Sequence, residues 1–594
     1  MQFKLPPKVF VERPCNSSVR EAYVNAGAPH HIADFLGRRL DSFIDWHLLV
    51  SPKLSAIADP GAIPSMDRAV ERIVRAILQH ERIALACDHD MDGTASAAVL
   101  WSALVDFFGV KPDHVTVVTS HRLTEGYGIS EPVVSRIESF GATLVISADK
   151  GSSDEPRIAT LAATGIDVVV TDHHVIPQAG PPQSAYAVVN PSRLDAEYDR
   201  HVCGAGVAFL VMAKVRSALL ERGTFAQLPP LTSLLDYVAV ATIADCVSLS
   251  PGASLINRAF IRRGLDQVRS QSRPCWKVFA QEQQGDIDAE TIAFRMAPAI
   301  AAAGRLDWAE SGFRFLISKS ETEAALYWSE LKRENSERQT IERRLRHEAF
   351  PRAAQITGPA IVLFFEDGHS GVHGITASRV VEAFGKPCAI FAPKGHGARS
   401  TASAVVEGLA SGSFRSIPSV DVQRALQHVA NAHPGMLLSH GGHQAAAGAT
   451  IQVSDLTQFE QAFAEAVAHQ TAGAPESKPT IWTDGELDAT SHTWDAMEAF
   501  DSIGPFGRGF DPPIYSGTFC VDAYHAMTEG QHARLRLRRE DLVISAVWFN
   551  IESALERLPF IGDHLNIAYR LMRRRYQDLA SLQATIIAGS FHSA

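Results

Sequence analysis

Cysteine is scarce in this chain: seven among 594 residues, scattered, odd in number and never spaced as CxxC. That scarcity disfavours a disulfide scaffold. With no tight Cys/His spacing either, it also disfavours a structural zinc module and suits a reducing cytosol. No run of about 18 uncharged apolar residues occurs, so no membrane span is expected. The opening MQFKLPPKVFVERP lacks the apolar stretch of a signal peptide. A cytoplasmic protein with no membrane partner is the expectation. Positive charge is in deficit as well, with a formal net charge of -11. This weighs against a strong, non-specific nucleic-acid binder, yet it leaves room for a local basic groove. An acidic cluster built to hold divalent metals would itself contribute negative charge. No patterned dimer helix stands out, which predicts a monomer.

What is present is enough apolar sequence for several cores. Hydrophobic residues make up 46% of the chain, and three or four domains are expected. Residues 1–75 read as a helical, polar N-terminal region. From 76 to 319 short apolar runs alternate with helical stretches: RIALAC (82–87), VTVVTS (115–120), TLVISA (143–148), DVVVT (167–171) and YAVVN (186–190). SLLDYVAVATIAD (233–245) reads mainly as a helix with a polar end. This alternation predicts an α/β fold, a mostly parallel sheet covered by helices. Residues 320–352 are strongly charged, with apolar residues at helical spacing, and predict one long connector helix. A second α/β unit is expected over 353–470. TAGAPESKPT (471–480) looks like a linker. Alternating runs such as ARLRLRRE (533–540) and LVISAVWF (542–549) predict a small β-barrel over 481–594.

The strongest local signal is Asp88-His89-Asp90-Met91-Asp92-Gly93. Three carboxylates alternate directly after an apolar strand, where alternate side chains converge and Gly93 permits a tight turn. Three negative charges packed together repel unless cations neutralise them. Asp172-His173-His174 follows another apolar run and offers imidazole ligands beside a carboxylate able to orient one of them. Asp149 follows TLVISA, and Asp245 ends YVAVATIA. A lone aspartate is more often a cap than a ligand, and an Asp-rich turn can be a solvated loop. The shared placement carries the case, because three of the four signals sit at carboxyl ends of strand-like runs, where open α/β sheets place ligands. Carboxylates plus imidazole suit two Mn²⁺ or Mg²⁺ ions, one aspartate able to bridge them. Zinc is less favoured in a set without thiolate.

These motifs resemble, in order, those of the DHH/DHHA1 phosphoesterase family. The family's first motif usually reads Asp-Tyr-Asp-x-Asp-Gly, and His89 stands at the tyrosine position here. Asp149, the triplet Asp172-His173-His174 and ATIADCVSL around Asp245 look like the motifs that follow. HRLTEGYGIS (121–130), CGAGVAFLV (203–211), INRAFIRRGL (256–265) and MAPAIAAAGRLDWAESGFRFL (296–316) also match. GHSGVHGITASRVVEAFGKPCAIF (368–391), GSFRSIPSVDVQRAL (412–426) and HGGHQAAAG (440–448) resemble the DHHA1 lobe. Pro505-Phe506-Gly507-Arg508-Gly509-Phe510-Asp511-Pro512 resembles the entry to an OB-fold, with Phe510 where asparagine is usual.

The resemblance implies a DHH core, a DHHA1 lobe joined to it by a long helix, and a C-terminal OB-like barrel. It implies that Asp90, Asp92, Asp149, His173 and Asp245 hold two metals, Mn²⁺ ahead of Mg²⁺, with Asp88 a ligand or beside one. His174 would steady the metal site or touch the scissile phosphate. On the substrate side it points to Arg122, Arg305, His369, Arg379, Arg399, Arg415, Ser416, Gly442 and His443. The stretch 397–418 offers two Arg-Ser candidates, at 399–400 and 415–416. Arg534, Arg536 and Arg538 alternate along one run and could share a barrel face, for DNA or merely for solvent. The implied activity is processive 5′→3′ hydrolysis of single-stranded DNA to mononucleotides in recombination and repair, beside single-strand-binding protein and a helicase. A phosphoesterase for short oligonucleotides or cyclic dinucleotides, and a DNA-binding scaffold without catalysis, are the alternatives.

Overall fold

The computed structural model describes residues 5–283, 285–395, 408–472, 478–527, 531–576 and 579–592. The chain divides into two compact units. One comprises Ile44–Arg338 with Gly504–Asp511, and the other Met1–Phe43, Gln339–Ile503 and Pro512–Ala594.

The first unit is built on five short strands, Ile83–Cys87 (β1), Val115–Thr119 (β2), Leu144–Ala148 (β3), Asp167–Thr171 (β4) and Ala187–Val189 (β5). All pair in parallel, in the order β2-β1-β3-β4-β5. β1 and β3 are buried along their whole length, as strands covered on both faces must be. Their side chains alternate between two apolar layers. Ile83, Leu85 and Cys87 face the layer that includes helices Met66–Leu78, Met91–Trp101 and Gly204–Glu221. Ala84 and Ala86 face helices Glu131–Phe140 and Glu155–Ala163. The winding direction reverses between β1 and β3, and such a switch point opens a crevice at the carboxyl ends of those strands.

In the second unit, Ile361–Phe364 (β6), Cys388–Pro393 (β7), Leu409–Arg415 (β8), Ser439–His443 (β9) and Ala446–Gln452 (β10) form a mixed sheet ordered β9-β10-β8-β7-β6. Phe391, Phe414, Phe459 and Phe463 pack ring against ring at its centre. Tyr515–Met527 (β11), His532–Arg539 (β12), Leu542–Trp548 (β13), His564–Tyr576 (β14) and Leu579–Phe591 (β15) close a five-stranded barrel. A 33-residue helix, Glu321–Ala353, carries the chain from one unit into the other. The parallel core, the mixed α/β lobe, the long helix and the barrel are the architecture expected from the sequence. Among the described residues no helix is long and apolar enough to cross a membrane.

Two details differ from the sequence reading. The N-terminal region, read as helical, also contributes a strand, Val9–Glu12, which pairs in parallel with Thr480–Thr483. The Pro505–Pro512 segment, read as the barrel's entry, packs instead with the parallel-sheet unit through residue 511. Arg258 holds it there. Its fully buried guanidinium donates to the carbonyls of Gly504 at 2.9 Å, Pro505 at 3.1 Å and Leu249 at 3.2 Å. The same group lies 5.2 Å from the Phe510 ring centroid. Charged donors to buried carbonyls are each worth more than neutral ones, and removing them strands the acceptors. Arg258→Met should therefore lower unfolding stability by about 3 kcal/mol, read from urea denaturation. A loss below about 1 kcal/mol would mean that the segment is held by its apolar contacts instead.

Candidate metal centre

The crevice at the β1/β3 switch point is lined by acids. Helix Met91–Trp101 begins directly after β1, and its N-cap Asp90 accepts from the N–H groups of Asp92 at 2.9 Å and Gly93 at 3.1 Å. The turn is tight enough that a Cβ on Gly93 would lie 2.4 Å from the Asp88 carbonyl oxygen, so glycine is required. Asp92 faces the start of helix Gly204–Glu221, where its carboxylate accepts from Gly204 N–H at 2.6 Å and Ala205 N–H at 2.8 Å. A helix N-terminus favours an anion there. Asp149, at the end of β3, adopts a left-handed backbone (φ 59°). Such strain in a non-glycine residue persists where the surroundings impose it, often at a functional site. Gly204 presses on it: a Cβ there would meet the Asp149 Cβ at 2.6 Å.

The DHH triplet follows β4. Asp172 is buried and accepts from the N–H groups of Ser152, His173 and His174 and from His174 Nδ1, the last at 2.8 Å. The two rings thereby take different tasks. His173 Nε2 reaches 3.2 Å from Asp149 Oδ1, 3.7 Å from Asp245 Oδ2 and 3.8 Å from Asp92 Oδ2. His174 is turned to Asp172. Asp245 arrives from the end of helix Leu235–Ala244.

Among the described residues three donor groups result, each with ligand atoms within 4.8 Å of one another: Asp92–His173–Asp245, Asp88–Asp90–Asp149 and Asp149–His173–His174. Asp149 and His173 each belong to two of them. Burial and mutual repulsion shape the electrostatics of these acids. Burial, and then the Asp90 charge, push Asp92 up to about 7. Burial and then Asp92 push Asp149 and Asp245 well above the ordinary carboxylate range. Asp88, despite burial, is held down to about 2 by His89 and Lys150. Burial and His174 lower His173 to about 4, which keeps its imidazole neutral and its lone pair free to ligate. His174, despite burial, is raised to about 9 by Asp172. Asp88 Oδ1, Asp149 Oδ1 and His173 Nε2 are buried and make no well-aligned hydrogen bond, although His89 Nδ1 lies 3.1 Å from the first and the other two lie 3.2 Å from each other. Buried polar atoms of that kind call for an ion or water. The residues fit two divalent cations.

The remaining sequence candidates are placed as follows. Arg122 Nη1 lies 3.5 Å from His89 Nε2, beside the first motif. Arg305 sits in the last turn of helix Ala297–Leu306. In the other unit His369 caps helix Ser370–Phe384, and Arg379 on that helix pairs with Glu382 at 2.9 Å. Arg415 ends β8 and lies against Gly374 of the same helix. Ser416 donates its hydroxyl to the Val420 carbonyl at 2.7 Å. Gly442 and His443 lie on the exposed strand β9. Arg534, Arg536 and Arg538 project outward from β12 while Ala533, Leu535 and Leu537 fill the barrel. Asp522 pairs with Arg538 at 3.0 Å. Arg399 lies outside the described residues.

Two residues at the centre escaped the sequence reading. The Tyr127 hydroxyl donates to the Asp149 carbonyl at 3.3 Å and lies 3.2 Å from His174 Nε2. Arg508, in the segment docked by Arg258, acts on Asp245 and opposes the rise in its pKa. Their signals were a tyrosine between two glycines and an arginine between two glycines, both on loops.

The fold and the donor set together define a metal-dependent phosphoesterase of the DHH/DHHA1 class. Family models agree: the DHH family, N-terminal domain, matches residues 82–242, the DHHA1 domain 357–469 and the RecJ OB domain 483–588. The chain belongs to the RecJ family. A single-stranded-DNA-specific exonuclease RecJ from Dickeya dadantii is 30% identical over 552 residues, which span 90% of this chain and 92% of the relative. A crystal structure of exonuclease RecJ bound to manganese is 30% identical, covering 70% of this chain and 96% of its own, with a TM-score of 0.57. RecJ from Thermus thermophilus in complex with Mn²⁺ shares the fold across 99% of this chain and 80% of its own, with a TM-score of 0.79 at 24% identity.

The acids give a signed pH dependence. Asp92 binds its proton more tightly folded than unfolded, so its contribution is present at low pH and lost as pH rises through about 7. His174 acts in the same direction, its contribution being present below about 6.5 and lost through about 9. His173 works oppositely, but only below about 6.5. Metal-free protein should therefore lose thermal stability from about pH 6.5 to 9, and saturating Mn²⁺ should reverse the trend. Scanning calorimetry with and without chelator checks this, and a midpoint that rises across that range without metal would contradict the raised proton affinity of His174 beside Asp172.

Proposed function

We propose that this protein is a 5′→3′ exonuclease that hydrolyses single-stranded DNA to mononucleotides with two divalent cations, Mn²⁺ ahead of Mg²⁺, in recombination and repair. The observation that carries the metal chemistry is the sharing of Asp149 and His173 among three overlapping donor groups. In this reading Asp92, His173 and Asp245 hold one cation, Asp88 and Asp90 the other, and Asp149 stands between them. Two such cations, when bound, activate water and stabilise the leaving oxygen of a phosphodiester. The substrate and the metal follow the RecJ relatives, whose names specify single-stranded DNA and, for a solved structure, manganese.

The chain's own residues prepare the site. Asp172 orients the His174 ring through Nδ1 at 2.8 Å, and His174 is assigned to steadying the metal site or to contact with the scissile phosphate. Tyr127 steadies the Asp149 backbone and the second His174 nitrogen. Arg122 and Arg305 are assigned to the phosphates beside the metals. His369, Arg379, Arg415, Ser416, Gly442 and His443 are assigned to backbone contacts of the second lobe, and Arg534 and Arg536 to those of the barrel. Single-strand-binding protein and an unwinding helicase are the partners such an activity calls for.

The test uses single-stranded DNA labelled separately at each end, with Mn²⁺, beside duplex, short-oligonucleotide and cyclic-dinucleotide controls. Mononucleotides should be released from the 5′ end, and Asp149→Ala should reduce the rate by more than about 100-fold. Activity restricted to the short or cyclic substrates would replace this reading with a small-molecule phosphoesterase. Binding without hydrolysis under every divalent metal would replace it with a scaffold.

A further inference from the structure

Trp308 is 40% exposed and stands outside the apolar layer that covers its side of the sheet. Its immediate supports are polar. The Arg136 guanidinium lies over its ring, 5.3 Å from the centroid, and His121 meets it edge-on at 4.9 Å and 72°. Both supports are themselves locked. Arg136 donates to the two Glu125 carboxylate oxygens at 2.8 and 2.7 Å and to the Thr119 carbonyl at 2.9 Å. His121 is buried, with Nε2 3.2 Å from Asp307 Oδ1, Nδ1 2.9 Å from Thr124 Oγ1, and its backbone N–H donating to Glu125 Oε2 at 3.0 Å. Glu125 thus ties the two supports together. A large flat side chain is held rigid and left partly uncovered, by groups that would not be needed to bury it.

Its position joins it to the acids by two routes. Arg122, the neighbour of His121, reaches His89 at 3.5 Å. Gly304, four residues before Trp308, packs so close that a Cβ there would lie 2.4 Å from the His89 carbonyl oxygen. Both routes end at His89, within the first acidic motif. A fixed aromatic face beside a phosphodiester site offers stacking to a nucleobase. An unpaired strand can offer a base face at any position, whereas a duplex offers one only at its ends, and stacking tolerates any base.

We propose that Trp308 is a stacking platform for one unpaired base of the bound strand, held by Arg136 and His121 beside the scissile phosphate. The proposal rests on the single-stranded DNA reading above. It makes Trp308 a determinant of substrate binding and leaves the metal chemistry to the acids.

The experiment walks a single abasic site along a 5′-labelled single strand, one position at a time, with Mn²⁺ and the wild-type, Trp308→Phe and Trp308→Ala proteins. One position should slow the wild-type enzyme by about tenfold, and Trp308→Phe should keep that position-specific penalty. Trp308→Ala should lose it, with kcat/KM on intact DNA down by about tenfold and hydrolysis of bis(p-nitrophenyl) phosphate, which has no base, unchanged. An unaltered abasic profile in Trp308→Ala, or an equal fall on the base-free ester, would overturn the proposal. If the wild-type protein cleaves no single strand but hydrolyses the base-free ester, the exonuclease reading falls first and takes the stacking role with it.

Discussion

The rest of the first unit is organised around mutual repulsion of buried carboxylates. Asp88, Asp92 and Asp149 are all nearly inaccessible, and Asp90 and Asp245 join them within ligand distance. Unpaired buried charge is costly, and a site of this kind answers by holding protons or by binding cations. The upward shifts of Asp92, Asp149 and Asp245 are the proton answer. Cations are the functional one, because they replace shared protons with a charge that polarises a phosphate.

That constraint dictates local backbone choices. Each acid must approach the others closely, so the elements that carry them meet with no side chain between. Gly93 and Gly204 stand where a Cβ would overlap Asp88 and Asp149. Asp92 has two helix N-terminal N–H donors aimed at it, and these partly offset the loss of water. The doubly wound sheet supplies the geometry: reversal of strand order between β1 and β3 leaves the carboxyl ends of adjacent strands uncovered. Asp88 and Asp149 follow those two strands, and the DHH triplet follows the next.

Much of this was legible in the chain before its structure. β1, β3 and β4 are continuous apolar runs, which is how doubly covered strands read, and each ends in a motif with carboxylates. Asp245 was legible only in part, since it ends a helix and nothing in its own segment says which strands it joins. Tyr127 and Arg508 were illegible in a different way. Each lies on a loop, and its role comes from where the loop lands, on Asp149 and His174 in one case and on Asp245 in the other. The landing of 504–511 depends on Arg258, about 250 residues earlier in the chain. No local pattern encodes that pairing. The strand Val9–Glu12 was missed for the same reason, because among the described residues it pairs with Thr480–Thr483, about 470 residues away.

Net charge illustrates how sequence totals mislead where sequence positions inform. A formal charge of -11 counts every carboxylate as free and ionised. At the metal centre several of them carry raised proton affinities, and bound cations would cancel others. Elsewhere acids are occupied locally: Asp522 with Arg538 and Arg536, Glu125 with Arg136, Asp484 with Arg39. Long-range repulsion of a polyanion is screened within about 8–10 Å at physiological salt. What a phosphate backbone meets is therefore the charge of its immediate groove. In the first unit Arg122 lies 3.5 Å from His89, beside the acidic motif, and His174 is held to Asp172 at 2.8 Å. Cations held by these acids would add positive charge to that groove, so affinity for a phosphate backbone would rise with metal occupancy.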